Sequence, residues 1–371
     1  MKKIFLTTLL ACLMTASPAA AYNVDWNDAP YISNKLEFYE HMTYCEENLQ
    51  TIIPMILSDG FQFDWNNRWL FAPVQWKNYE VVKRDGNDTY LVVEIENYPG
   101  TRISEAYLRD DTSFLTPNEL EIYDTVLEAL NDVSPDDFDD EYFQELFLVK
   151  FLDEWVSYTT ADYSTANQNM PRFVTAVGAF LDRKANCQGY SDAFYMLGNM
   201  WGFEVKRVVG YTDSGGLHMW NTITFDDGRT YFVDVTWEDN QIQFTEAGET
   251  GNNIYFNAPV EIMKATHTWD ESLTGKVVPN FDDRYFYVRT GHFCKTCYEA
   301  CYSIAQDIVN GEKLVYAMAP YDPDYANQKA DVDFLYNKIL VKKFGWNGNF
   351  QMYIKHVGNY LFFIADSSSN Y

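Results

Sequence analysis

The chain has 371 residues, enough for two or three domains and at least one sizeable core. A hydrophobic share of 47% with 17% aromatic residues excludes a disordered chain. The formal net charge of -27 argues strongly against nucleic acid and anionic membrane surfaces as partners.

The N-terminus reads as a secretory signal over residues 1–21. Lys2 and Lys3 precede an apolar run from Ile4 to Met14 that is too short to span a bilayer, and Pro18-Ala19-Ala20-Ala21 offers a cleavage site before Tyr22. Leu9-Leu10-Ala11-Cys12 supports a second reading, a lipoprotein site at Cys12, which the short apolar core and the better later site disfavour. No other segment reaches membrane-spanning length, so an exported protein (secreted, periplasmic or cell-surface) with no membrane span is expected. Cleavage after Ala21 leaves Cys45, Cys187, Cys294, Cys297 and Cys301, an odd set that asks which thiol stays free.

Residues 22–115 are expected to form an N-terminal α+β accessory domain. A helix is predicted over Asn34 to Leu57, followed by strands at Tyr79–Val82 and Thr89–Ile95 around the turn Asp85-Gly86-Asn87-Asp88. A second domain, 116–280, opens at a helix start, Leu115-Thr116-Pro117-Asn118. Ser134-Pro135-Asp136-Asp137 reads as an N-cap with acidic residues in the first turn. The acidic run Asp136–Glu141 lacks the glycine and spacing of a calcium loop.

Asn186-Cys187-Gln188-Gly189-Tyr190 is the most informative stretch. Tyr190, Ala193, Phe194, Leu197 and Met200 recur at helical spacing, Gly202 can end the element, and Asn186 is a competent N-cap. Cys187 then lies in the first turn, where free N–H groups and the helix dipole stabilise a thiolate, and its own N–H can serve an oxyanion. The plain alternative is an ordinary buried cysteine.

Two strands follow, Leu217–Phe225 and Thr230–Trp237, joined by Asp226-Asp227-Gly228. Odd-numbered positions are mainly apolar in both. Keeping the apolar faces together requires like-parity pairing, which a three-residue loop with a left-handed Gly228 supplies. Position 218 then faces 236, and Asp234 lies diagonally across from His218 on one face. A carboxylate in such an apolar strand needs a partner. His267 is the rival base, with packing or hydrogen bonding as its default role; His41, His292 and His356 have no comparable setting.

Residues 281–371 read as a C-terminal α+β accessory domain: Tyr285–Val288 strand, Cys294–Val309 helix, Leu314–Ala319 strand, Phe334–Lys343 helix, and a hairpin of Gln351–His356 with Tyr360–Ile364. His292, Cys294, Cys297 and Cys301 resemble metal-ligand spacing, but disulfides are the expected use in an exported chain, including a bridge from Cys45 to this group. The pairing is open. No metal and no cofactor are expected.

The blocks Asn186–Phe194, His218-Met219-Trp220-Asn221 and Tyr231–Trp237 resemble the bacterial transglutaminase-like superfamily. So do Phe151–Tyr158, Ala176–Leu181, Tyr255-Phe256 and His267-Thr268-Trp269, over roughly residues 116–280. The resemblance implies an α+β papain-like core, a helix bearing Cys packed on an antiparallel sheet bearing His and Asp. It implies Cys187 as nucleophile, His218 as general base and acid, and Asp234 as orienter, with Trp220 and Tyr190 as candidate substrate-binding residues. Leu181 stands where papain's oxyanion glutamine would be, so the second oxyanion donor is unassigned. The expected function is an exported cysteine peptidase, amidase or transglutaminase-type acyltransferase acting on peptide, isopeptide or glutamine amide bonds of a peptide or protein, cell-wall peptide included. The alternative is a non-catalytic peptide or cell-wall binding module that keeps the fold. Oligomeric state is not legible.

Overall fold

The computed structural model describes residues 97–159, 172–239, 252–271, 274–325 and 330–367, together with the backbone of 34–40, 74–84, 88–96 and 328–329. The signal-like segment, His41 and Cys45 lie outside the described residues.

The first described strand, β1 (Asn34–Glu40), replaces the start of the predicted helix. It pairs antiparallel over seven residues with β3 (Asp88–Asn97), which also takes β2 (Val74–Arg84) on its other side, in the order β1-β3-β2. Pairing across the sheet overrides local preference there. The β2–β3 strands follow the sequence expectation.

Helix α1 (Pro99–Arg109) comes next, then α2 (Pro117–Ala129), which opens in the predicted place. Thr116 caps it, and Glu119 Oε2 accepts the Thr116 N–H at 2.7 Å, completing a capping box. Ser134 caps only one short turn, Pro135–Asp137, and Asp140 caps the longer helix α3 (Glu141–Trp155). Two residues of strand β4 (Ser157–Tyr158) pair in parallel with β5 (Lys184–Ala185), immediately before helix α4 (Cys187–Met200).

Helix α4 is buried along nearly its whole length. It packs against α1, α3 and two strands, β6 (Glu204–Thr212) and β7 (Leu217–Thr224). The β7 strand pairs with β8 (Thr230–Val233) in like parity: Thr224↔Thr230, Ile223↔Tyr231, Thr222↔Phe232 and Asn221↔Val233. Gly228, at φ 78, closes the three-residue loop, and Phe225 N–H donates to Arg229 O at 3.0 Å. The register is the one the apolar pattern requires. The second strand, however, stops at Val233. The chain turns at Asp234 into a short helix, α5 (Val235–Asp239), because Asp234 accepts the Trp237 and Glu238 N–H groups on its carbonyl and the Trp237 N–H again on Oδ1.

Short helix α6 (Val260–Met263) leads to β9 (His267–Trp269), which adds to β6 and gives the four-stranded antiparallel order β8-β7-β6-β9. Gly210 makes the β6–β9 approach possible. A Cβ there would meet the Thr268 carbonyl oxygen at 2.1 Å and the Trp220 ring at 2.7 Å. Gly210→Ala is therefore expected to push β9 off the sheet edge and cost about 1–3 kcal/mol, read as a lower urea midpoint.

The predicted strand at Tyr285–Val288 is instead a short helix, α7 (Phe286–Arg289). Tertiary anchors decide this, since the Tyr285 hydroxyl donates to Ile254 O at 3.1 Å and that of Tyr287 to Asn252 O at 2.6 Å. The remaining elements follow expectation. Helix α8 (Cys297–Asn310) leads to β10 (Leu314–Pro320), then helix α9 (Gln328–Phe334) runs into a wider coil over Leu335–Phe344. Strands β11 (Gln351–Val357) and β12 (Tyr360–Asp366) form the hairpin, with sheet order β10-β12-β11.

This C-terminal unit has its own core of Cys297, Cys301, Ile304, Leu340 and Phe363. A second cluster, with Trp220, Phe232 and Tyr255 beside Met318, Val357 and Phe362, fastens it to the site sheet. Among the described residues, no helix is long and apolar enough to cross a membrane.

Candidate active site

Cys187 begins α4, and the local sequence fixes it there. Asn186 Oδ1 accepts the Gln188 N–H at 3.1 Å and the Gly189 N–H at 3.2 Å, while its carbonyl takes the Tyr190 N–H at 3.0 Å. These bonds occupy the donors after Cys187 and leave the Cys187 N–H at the head of the helix. Asn186 N–H in turn donates to Phe173 O at 3.0 Å, which ties the cap to the preceding turn.

Beneath the same helix, Asp192 Oδ2 accepts N–H groups from Ala176 at 2.7 Å and Gly100 at 3.3 Å, and Oδ1 pairs with the Arg207 guanidinium. That guanidinium lies between the Tyr98 and Tyr195 rings, 4.6 and 3.7 Å from their centroids. The Tyr98 hydroxyl accepts from Gln188 Nε2 at 2.7 Å. Helix α1, the residues before Cys187, α4 and β6 are thereby locked together, so α1 supports α4 although it precedes residue 116.

His218 enters from β7 and Asp234 from the end of β8. His218 Nε2 lies 2.7 Å from Asp234 Oδ2, both side chains buried, and the Cys187 side chain is close enough to act on the imidazole's titration. With Nε2 on the carboxylate, Nδ1 is the ring nitrogen left for the thiol. Burial alone would pull the His218 pKa down, but the charges of Asp234 and Cys187 and the hydrogen bonds to both push it up to about 10. Burial works the opposite way on Asp234, and the bonds and charges of His218 and His267 outweigh it, holding the carboxyl well below the usual range.

Around the pair stand aromatic walls. The His218 ring is stacked on Trp220 at 5.8 Å and tilted against Trp237 at 5.6 Å. From β11, the Lys355 ammonium lies 5.3 Å from the Trp237 ring and 5.0 Å from Tyr255, its pKa lowered to about 8 by burial despite Glu238, Asp234 and Asp213. Tyr158, 40% exposed, sits near the thiol. Burial, with the charges of Cys187 and Asp234 added, pushes its phenol to about 12, so it stays protonated at neutral pH. Neither Lys355 nor Tyr158 stands out in the sequence. The β4–β5 pairing that brings Tyr158 beside residue 185 is two residues long, too short for any periodicity.

His218 and Asp234 are thus paired, with Cys187 beside the imidazole. Tyr190 and Trp220, expected as substrate contacts, are both buried here. Tyr190 is fully buried, its hydroxyl meeting Val156 O at 2.9 Å and the Asp239 carboxylate, and Trp220 is 1% exposed behind the imidazole. Their size makes them packing residues of the core.

His267 is also at the site, with Nε2 3.3 Å from Asp234 Oδ2. The ligand atoms of His218, Asp234 and His267 lie within 4.8 Å of one another, close enough to suggest a metal. The fit is poor. Tetrahedral zinc holds neighbouring ligand atoms about 3.3 Å apart, and the 2.7 Å His218–Asp234 contact is a hydrogen bond.

The other cysteines depart from the expected bridges. Cys294, Cys297 and Cys301 are free, as is Cys187, and a bridge to Cys45 lies outside the described residues. Burial pushes the Cys294 and Cys297 thiols up to about 11 and Cys301 up to about 12, which makes them poor nucleophiles. His292 is engaged by Thr290 and Asp307.

A helix that presents a thiol to an antiparallel sheet carrying His and Asp defines a papain-like core. Residues 139–235 match the family model of the Transglutaminase-like superfamily. No curated protein matches the chain significantly. Among solved structures, a TGase is 15% identical with a TM-score of 0.29, over 60% of this chain and 56% of its own. A candidate cysteine protease from Cytophaga hutchinsonii is 12% identical at a TM-score of 0.25, over 43% of this chain and 61% of its own. A candidate protease from Parabacteroides distasonis is 7% identical at a TM-score of 0.25, over 79% and 62%. The chain thus spans less than two thirds of the length of each.

Proposed function

We propose that the chain is an exported thiol enzyme that cleaves or transfers acyl groups at peptide, isopeptide or glutamine amide bonds through a Cys187 thioester. The observation that carries this reading is the buried His218–Asp234 hydrogen bond beside Cys187, whose thiol stands at a helix N-terminus. In that arrangement the Cys187 sulfur attacks the carbonyl carbon while the Cys187 N–H at the head of the helix faces the developing oxyanion. His218 holds the proton taken from the thiol and delivers it to the leaving amine. Water, deprotonated by the same imidazole, or an acceptor amine then resolves the thioester. Asp234 keeps the ring oriented and its Nε2 protonated. The substrate is a peptide or protein, with cell-wall peptide a natural member of that class for an exported enzyme. Export rests on the signal-like residues 1–21.

One observation favours the second reading, a non-catalytic binding module that keeps the fold: Cys187 is 8% and His218 4% exposed. Incubating wild type and Cys187→Ala with peptide and glutamine-amide libraries separates the two. Amine release or acyl transfer by wild type alone supports the enzyme; equal binding by both proteins with no turnover supports the module. The pH profile carries a sign. The raised His218 pKa means that its protonated form stabilises the folded site fully below pH 6.5, and that this contribution is lost as pH rises through about 10. Turnover is therefore expected to hold through neutral pH and to fall above about pH 10, where the general acid loses its proton.

A further inference from the structure

His267 opens β9 at the edge of the site sheet, opposite Thr212 of β6, and its side chain is completely buried. Its Nδ1 lies 2.9 Å from Thr266 Oγ1. Its Nε2 lies 3.3 Å from Asp234 Oδ2, the oxygen that His218 Nε2 meets at 2.7 Å. The second contact is long and short of a well-formed hydrogen bond, yet no better acceptor among the described residues reaches that nitrogen. The rings of Trp237, Trp220 and Tyr255, at 4.4, 4.9 and 5.7 Å, enclose the imidazole, and the His218 ring is 5.4 Å away.

The neighbouring carboxylate favours one tautomer. An ionised carboxylate only accepts, so the tautomer that suits Asp234 carries its proton on the His267 Nε2 that faces it. The other nitrogen then accepts from the Thr266 hydroxyl. Burial keeps His267 neutral by lowering its pKa, against the pull of Asp234 and Asp213. The charged and titratable groups facing this centre are Asp213 from the turn after β6, Glu238 from α5, Tyr255, Lys355 from β11, and His218 itself. Asp234 Oδ2 thus faces two imidazole nitrogens, and Oδ1 accepts the Trp237 N–H.

We propose that His267 is a positioning residue, a neutral second imidazole that pins Asp234 in line with His218, with Thr266 setting its tautomer. This role rests on the thiol-enzyme reading. It predicts that His267 acts through the carboxylate and never touches substrate.

Residue-resolved alkylation of Cys187 by iodoacetamide, followed by peptide mass mapping from pH 5 to 10.5, tests it in wild type, His267→Leu, His267→Gln and Thr266→Val. Leucine keeps bulk but removes the donor. It should slow Cys187 alkylation at pH 7 about tenfold or more and move the alkaline limb to lower pH, because Asp234 no longer holds His218 as firmly. Glutamine, whose amide N–H can replace the imidazole N–H, should recover most of both. Thr266→Val should shift the limb in the same direction by less. A folded His267→Leu protein that labels like wild type over the whole range overturns the proposal and leaves His267 as packing. If the leucine variant does not fold, Thr266→Val decides, and an unshifted limb overturns it. Wild-type Cys187 that reacts no faster than a model thiol sinks the triad reading itself, a result distinguishable from either of these.

Discussion

Replacing Asp234 by asparagine is expected to lower turnover about 10⁴-fold, the scale reached when the carboxylate that orients a catalytic histidine is lost. The geometry says why so small a change is so costly. Oδ2 faces two imidazole nitrogens and Oδ1 faces the Trp237 N–H. An asparagine with its NH₂ at the Oδ2 position would oppose two N–H donors and drive the His218 proton to Nδ1, where the thiol has to be. The flipped asparagine would place its NH₂ against the Trp237 N–H and loosen the turn into α5. Neither orientation serves both partners. The negative charge that helps raise His218 to about 10 is lost as well, so the imidazolium should lose its proton at lower pH, and the alkaline limb should move toward neutrality. A kcat/KM profile against pH, with circular dichroism to show that the fold persists, checks both parts. Unchanged kcat/KM in a folded Asp234→Asn protein would remove Asp234 from the mechanism.

How much of this was legible in the sequence depends on what each residue answers to. The closeness of His218 and Asp234 was legible because the apolar parity of two strands admits one register, and the part of the ladder next to the turn keeps it. The turn at Asp234 was not. Tyr231–Trp237 continues to alternate like a strand, and the competing signal is a lone aspartate able to cap the next turn. The helix at Phe286–Arg289 was hidden in the same way, since aromatic residues favour strands on average and only the carbonyls of Ile254 and Asn252 draw Tyr285 and Tyr287 into a turn. His267 was visible as a histidine with unusual neighbours, but its closeness to Asp234 depends on β9 joining the far side of β6 across Gly210. Lys355 reaches the site from another core altogether. Long-range packing of this kind leaves no local periodicity to read.

The largest expected loss of stability comes from a place remote from the thiol chemistry. Arg207→Ala should destabilise the fold by about 3–5 kcal/mol, since it leaves the Asp192 carboxylate buried without its counter-charge. Two N–H donors, from Ala176 and Gly100, would remain on Asp192, but neither neutralises it. The loss of the guanidinium would also unstack Tyr98 and Tyr195 and remove the bond to Thr101 Oγ1. Replacing both charges, Arg207→Met with Asp192→Leu, should cost clearly less than Arg207→Ala alone, because a buried pair exchanged for apolar volume leaves no unpaired charge. Urea unfolding of the single and double variants measures the difference. A double variant no more stable than the single one would mean that the Asp192 bonds to Gly100 and Ala176, and not the ion pair, hold α1 and the residues before Cys187 onto the nucleophile helix.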